Sequence, residues 1–294
     1  MMTLQELVDG TRAFIKDCMD ASRGQVLSTK IIMPKELLEC LERLMLSING
    51  TTDSAILLIE EGCVWDSSIL LRSVLDGTAR ASYLLCAKTL DEEQQRLCEF
   101  KDLLPQAEMG GLDQPLTGMI HSHYYKGTES AKDLILDPIK SMVDSMKPGE
   151  GEGKSLREVK ARWNFFKISN ALKEGFPLWK TFAPLFEFRY AIANQLIHKT
   201  DMGSRQVLIR YLCEPAYREL SDMAHAETIL IALCYTTYVR LVALSARQNA
   251  DLSSFEVVWR DHGKFFGDAQ SVEDAYVAEL KKRNKQDSER RQES

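Results

Sequence analysis

The sequence predicts an all-α fold: a helical bundle with additional helices and a loop-rich insertion. Three observations lead there. No segment of the 294 residues alternates apolar and polar positions for long, and Asn49-Gly50 joins helical patterns rather than two β-branched runs. Apolar residues recur at three- and four-residue spacing along most of the chain. Prolines 34 and 215 fall where a first helical turn begins, and Ser or Thr residues precede several other starts. Hydrophobic residues make up 45%, enough for one large core or two small ones.

Taken in order, helices are expected at 3–21, 35–48, 51–62, 65–88 and 91–103. The stretch 105–128 holds Pro105, Gly110, Gly111, Pro115, Gly118 and Gly127, which predicts loop or short helix. A helix at 129–146 precedes the Gly-rich linker 147–154. Further helices are expected at 155–172, 183–198 (starting at Pro184), 215–248, 251–265 and 272–288. The helices after the linker are too few for an independent core, so residues 1–270 read as a single helical domain with an insertion at about 105–154. Residues 271–294 read as a charged C-terminal helix or tail that frays in solvent.

Composition narrows the function classes. The net charge of −6 disfavours a protein that coats long stretches of nucleic acid, which needs a basic surface. Seven cysteines without a C-x-x-C pair, most set among apolar residues, predict reduced thiols in a cytoplasmic protein with no disulfide-linked partner. Residues 1–7 lack a basic region followed by an apolar one, so no signal peptide is expected. The most apolar run, Ile229–Val239, falls short of the roughly 20 residues a membrane span needs, which predicts a buried core helix and no membrane partner.

Two helices carry chemistry. In 65–88, Arg72, Asp76 and Arg80 share a face at i, i+4 and i+8, and Tyr83 joins their stripe. Apolar residues occupy nearly all the remaining surface, as in a central helix. The stripe is either an ion-pair ladder or a pair of guanidinium groups held by Asp76 and aimed at an anion. In 183–198, Tyr190, Asn194 and His198 line up at four-residue spacing. A phenol, an amide and an imidazole can orient a phosphodiester or satisfy one another in a core, and a histidine ending a helix also serves its dipole.

Arg72-Ser73-Val74-Leu75-Asp76 resembles the R-S-x-x-[DE] segment of a large bacterial family of uncharacterised helical proteins. Tyr190-x-x-x-Asn194-x-x-x-His198 resembles that family's Y-x-x-x-[SN]-x-x-x-H segment. The family is similar in turn to the HEPN superfamily, whose four-helix-bundle members often act in toxin and phage-defence systems. The resemblance covers about 65–90 and 183–203. It implies a HEPN-like bundle, a homodimer, and metal-independent RNA cleavage without a cofactor. His198 would move a proton, Arg72 or Arg80 would stabilise charge on the phosphate, and Asp76, Tyr83, Tyr190 and Asn194 would bind. Active HEPN members place arginine four to six residues before histidine. Here Arg189 precedes His198 by nine, about half a turn out of phase, so the two leave opposite faces of one helix. The rival reading is a non-catalytic module that binds a nucleotide, a small anion or a partner protein through the same groove. A third is that the polar stripes only fix helix register.

Segment 154–180 carries a net charge of +5 with Trp163, Phe165, Phe166 and Trp179 interleaved. Either the aromatics are platforms for single-stranded RNA, or they form the buried face and the lysines the wet one, which is favoured. His121-Ser122-His123 lacks the acidic or Cys neighbours of a metal site. No P-loop, G-x-S-x-G elbow or H-E-x-x-H is present.

Overall fold

A computed structural model describes residues 2–28, 33–109, 153–198 and 214–293, with positions 141, 208 and 212. All elements among them are helical. The expected helix at 129–146 and the histidines at 121 and 123 lie outside the described residues, position 141 excepted. The chain divides into two compact units, one of Met1–Cys86 with Leu172–Ser294 and one of Ala87–Ala171. The second unit thus begins before the composition break at 105 and ends after 154.

The first unit opens with α1 (Leu4–Ser28), α2 (Lys35–Glu60) and α3 (Val64–Leu85). The two helices expected at 35–48 and 51–62 are one. Asn49 and Gly50 do not stop α2, because a glycine costs a helix interior only about 1 kcal/mol and packing overrides it. The stop comes at Gly62, with φ 75°. The Gly62 amide donates to Ile59 O and the Cys63 amide to Leu58 O, the paired bonds that satisfy a helix's last carbonyls. This turn sets α3 back against α2. The two approach closely at Gly77, where a Cβ would stand 2.7 Å from Ile48 Cγ1. Gly77→Val is expected to lower stability by about 1–3 kcal/mol, read from the midpoint of urea unfolding, because the crowded atom lies close to the α2 backbone.

The second unit holds α4 (Leu90–Cys98), a π-helical turn (Glu99–Leu103), α5 (Leu104–Met109), α6 (Gly153–Arg162) and the first part of α7 (Phe165–Gly175). The single helix expected at 155–172 breaks at Trp163 and Asn164, where Asn164 Oδ1 accepts the Phe166 amide and starts α7. Glu99 organises this unit. It accepts from Arg162 Nη2 at 2.7 Å, Trp163 Nε1 at 2.9 Å and Gln95 Nε2 at 3.0 Å. Burial alone would raise its carboxyl, but these bonds outweigh it and hold the group below its usual range.

The first unit continues with α8 (Pro177–Ile197), α9 (Pro215–Arg247), α10 (Ser253–Asp261) and α11 (Gly263–Glu293). Helix α8 starts seven residues before the expected Pro184. Pro177 fills the first turn, where no amide hydrogen is needed, and Pro184 rides inside the helix. Helix α9 is the centre, packed against α1, α3, α8 and α11, with Ile229 to Cys234 buried without a break. By length and composition it could cross a membrane, yet 78% of its apolar window is buried inside the fold. Its Arg240 is 1% exposed and donates to Asn49 Oδ1 at 2.7 Å. Helix α11 returns to α1, where a Cβ on Gly10 would meet the Phe265 ring at 2.4 Å.

Candidate functional site

At about 100° per residue, Trp65, Ser68, Arg72, Asp76, Arg80 and Tyr83 fall within roughly one third of the α3 circumference. Asp76 and Arg80 form the expected i,i+4 ion pair, Oδ2 to Nε 2.9 Å, with both side chains mostly covered. They share a cleft of about 220 Å³ between α2 and α3 with Arg72, Ser47 and Thr51. Arg72 also leans toward α8, its Cζ 5.2 Å from the centre of the Tyr190 ring. The two stripes expected from sequence therefore meet at Arg72 and Tyr190. Tyr190 is buried, while Tyr83 and Asn194 are half-buried. His198 caps the end of α8, its amide donating to Asn194 O at 3.1 Å. Its side chain is exposed, and its ring makes no hydrogen bond or ion pair among the described residues.

A different imidazole meets the α3 stripe. His225, on α9, has Nε2 2.7 Å from Ser68 Oγ. Its ring stacks on Trp65 with centroids 4.3 Å apart and planes 22° from parallel. Trp65 Nε1 in turn donates to Asp222 Oδ1 at 3.2 Å. Ser68 and Arg72 are one helical turn apart, so their Cβ atoms lie about 5–6 Å from each other. His225 is half-buried and opens onto a cleft of about 170 Å³ shared with Trp65, Arg189, Ser221, Thr228, Glu273 and Tyr276. Three helices besides α3 build this cleft: α8 supplies Arg189, α9 the serine, histidine and threonine, and α11 the glutamate and tyrosine.

Charge in the cleft is unusually constrained. Burial pulls the Arg189 guanidinium below its usual range, and Glu273 and Glu227 pull it back. Glu227 is 4% exposed; burial pushes its carboxyl up to about 7, against the Thr228 hydroxyl that donates to it at 3.1 Å. Glu273 and Asp274 add to that rise and Arg189 opposes it. The folded chain thus keeps the Glu227 proton that the unfolded chain releases near 4.5. Its contribution to stability is full below about pH 4.5 and is lost as pH rises through about 7, a change of about 3 kcal/mol. Glu227→Gln is expected to be more stable than the parent at pH 8 and nearly equal to it at pH 4, measured by urea unfolding at both.

Sequence reasoning passed over His225, and the signal was present. Tyr217-x-x-x-Ser221-x-x-x-His225 repeats the spacing of Tyr190, Asn194 and His198. Tyr217 stands at the edge of this region, its hydroxyl 3.4 Å from that of Tyr276 and its ring 4.1 Å beneath Arg283. The basic aromatic segment follows the favoured reading for three of its four rings. Trp163, Phe165 and Trp179 are buried and present no face to a base, while Phe166 is exposed. The thiols are more varied than expected: Cys18, Cys40 and Cys234 are buried, but Cys63 and Cys98 are exposed. Among the described residues, no cluster of three His, Cys, Asp or Glu side chains is arranged to hold a metal ion.

The fold and this cleft define an all-α bundle protein with a polar site among its central helices. No protein-family model, curated protein or solved structure matches the chain.

Proposed function

We propose that this chain is a HEPN-like, RNA-targeting protein that cleaves phosphodiester bonds without a metal or cofactor, acting in the cytoplasm as a homodimer in a toxin or phage-defence role. The observation that carries the proposal is the seating of His225 on Ser68 and Trp65, one turn along α3 from Arg72. An imidazole takes the proton from a ribose 2′-hydroxyl as it attacks the adjacent phosphorus; the P–O5′ bond breaks, a 2′,3′-cyclic phosphate forms, and the leaving 5′-oxygen takes a proton back from the imidazolium. A guanidinium beside it stabilises the negative charge that builds on the phosphoryl oxygens. Arg72 stands one turn along α3 from Ser68 with its Cζ 5.2 Å from the centre of the Tyr190 ring, and Arg189 shares the cleft of His225. His198, the imidazole singled out from spacing, is the competing proton carrier.

The assay is incubation of the pure protein with total RNA and a chelator, comparing the parent with His225→Ala, His198→Ala and Arg72→Ala. Loss with His225→Ala and Arg72→Ala, and retention with His198→Ala, is the expected pattern. Equal background cleavage by all four ends the nuclease proposal. Growth arrest on induction in a bacterial host, relieved by Arg72→Ala, tests the toxin role. One observation favours the second reading, a non-catalytic module for a nucleotide or small anion. The cleft of Arg72, Asp76 and Arg80 between α2 and α3 offers guanidinium groups and hydroxyls with no imidazole on its walls. Phosphate binding without cleavage would decide for it.

A further inference from the structure

Arg189 and Glu273 line one cleft from opposite helices and do not touch. The Arg189 Nε is buried with no hydrogen-bond partner, and the guanidinium makes no ion pair among the described residues. Among the described residues, Glu273 accepts only from its own helix, from Gln270 Nε2 at 3.2 Å. The Arg189 guanidinium is half-buried, with its Cζ 5.4 Å from the centre of the Phe188 ring, so its hydrogen-bonding edge and the Glu273 carboxylate leave a gap that one ligand serving both would fill. The cleft of about 170 Å³ is on the scale of one unpaired base. Trp65 and Tyr276 give it aromatic walls.

The charge balance selects the ligand. One carboxylate, Glu273, faces one guanidinium, Arg189, across the cleft, so an anion here meets Glu273 and a cation meets Arg189. A neutral planar molecule with an acceptor beside donors satisfies both sides. Among the four RNA bases, guanine alone presents a carbonyl oxygen next to two N–H groups on its pairing edge. A carboxylate accepts such a pair in parallel, and an arginine donates to the carbonyl. Adenine and cytosine place a lone donor beside an acceptor, and uracil offers one donor between two acceptors.

We infer that this cleft is a guanine-recognition pocket, in which Arg189 donates to O6 and Glu273 accepts from N1–H and the 2-amino group. The inference rests on the RNA reading above, since it takes the base to belong to a strand whose phosphate lies toward His225 and Arg72.

The test is titration calorimetry of the full chain with GMP, IMP, AMP, CMP and UMP, which holds the phosphate constant and needs no turnover. GMP is expected to bind about 10-fold or more tightly than AMP, CMP and UMP, with IMP between them because it lacks the 2-amino donor. Glu273→Gln, at a half-exposed position of α11, and Arg189→Met are expected to erase the preference, with folding checked by circular dichroism. Equal affinity for all five nucleotides overturns the inference. So does a preference for GMP that survives Glu273→Gln. Selective GMP binding without RNA cleavage upholds the pocket and removes the nuclease. Cleavage without base preference, together with equal binding of the five, upholds the nuclease and removes the pocket.

Discussion

For the proposed RNA cleavage, His225→Ala is expected to lower the rate by about 10²- to 10⁴-fold, the usual contribution of a positioned proton carrier. The loss should be in turnover rather than affinity, because the phosphate would be held by arginines that the substitution leaves in place. The ring is half-buried, so truncation exposes the Trp65 face and leaves the Ser68 hydroxyl without its partner. That costs some stability, and the melting temperature of the variant has to be reported beside its rate. Ser68→Ala separates position from chemistry. It keeps the imidazole but removes the Ser68 hydroxyl from its Nε2, so activity should fall less than with His225→Ala. Unchanged cleavage by His225→Ala at full folding would remove this histidine from the mechanism.

Trp179→Ala is expected to cost about 3–5 kcal/mol of stability, with a melting temperature lower by on the order of 10 °C. Trp179 is 0% exposed and meets Phe186 edge-on, with centroids 5.3 Å apart. Phe186 and the half-buried Phe182 continue this aromatic row, and Phe182 stacks on Tyr235 of α9 at 4.5 Å. The row therefore seats the first half of α8, and the second half of α8 carries Arg189 and Tyr190. Cavity formation at 179 should loosen both. Calorimetric melting checks the first effect, and weaker GMP binding below the melting point checks the second. A loss under 1 kcal/mol would mean that the site collapses around the missing indole.

Much of this fold was legible from period and punctuation. The wide apolar arc around Leu71, Val74, Leu75, Leu84 and Leu85 marks α3 as central, and these side chains are buried. The buried run in α9 was equally visible. What misled was local chemistry overridden by packing. Gly50 looks like a stop and is not, and Pro184 looks like a start while Pro177 is the real one. At the site, period alone correctly sends Arg189 to the side of α8 away from Asn194 and His198, but it does not say what waits there. The partner of Ser68 lies 157 residues along the chain, and helical phase carries no information about which stripe crosses which. The spacing of Tyr217, Ser221 and His225 is as regular as that of Tyr190, Asn194 and His198, so choosing between them required the crossing itself.

The contact between Gly10 and Phe265 has a consequence for synthesis. It packs the earliest helix described against the latest, and that latest helix also brings Glu273 and Tyr276 to the cleft. A nascent polypeptide halted anywhere before residue 263 already owns His225 and Arg189, yet lacks one wall of the cavity they face. Such a chain cannot complete its core while translation continues. The cleft beside His225 is therefore closed only after the last helix described has been made.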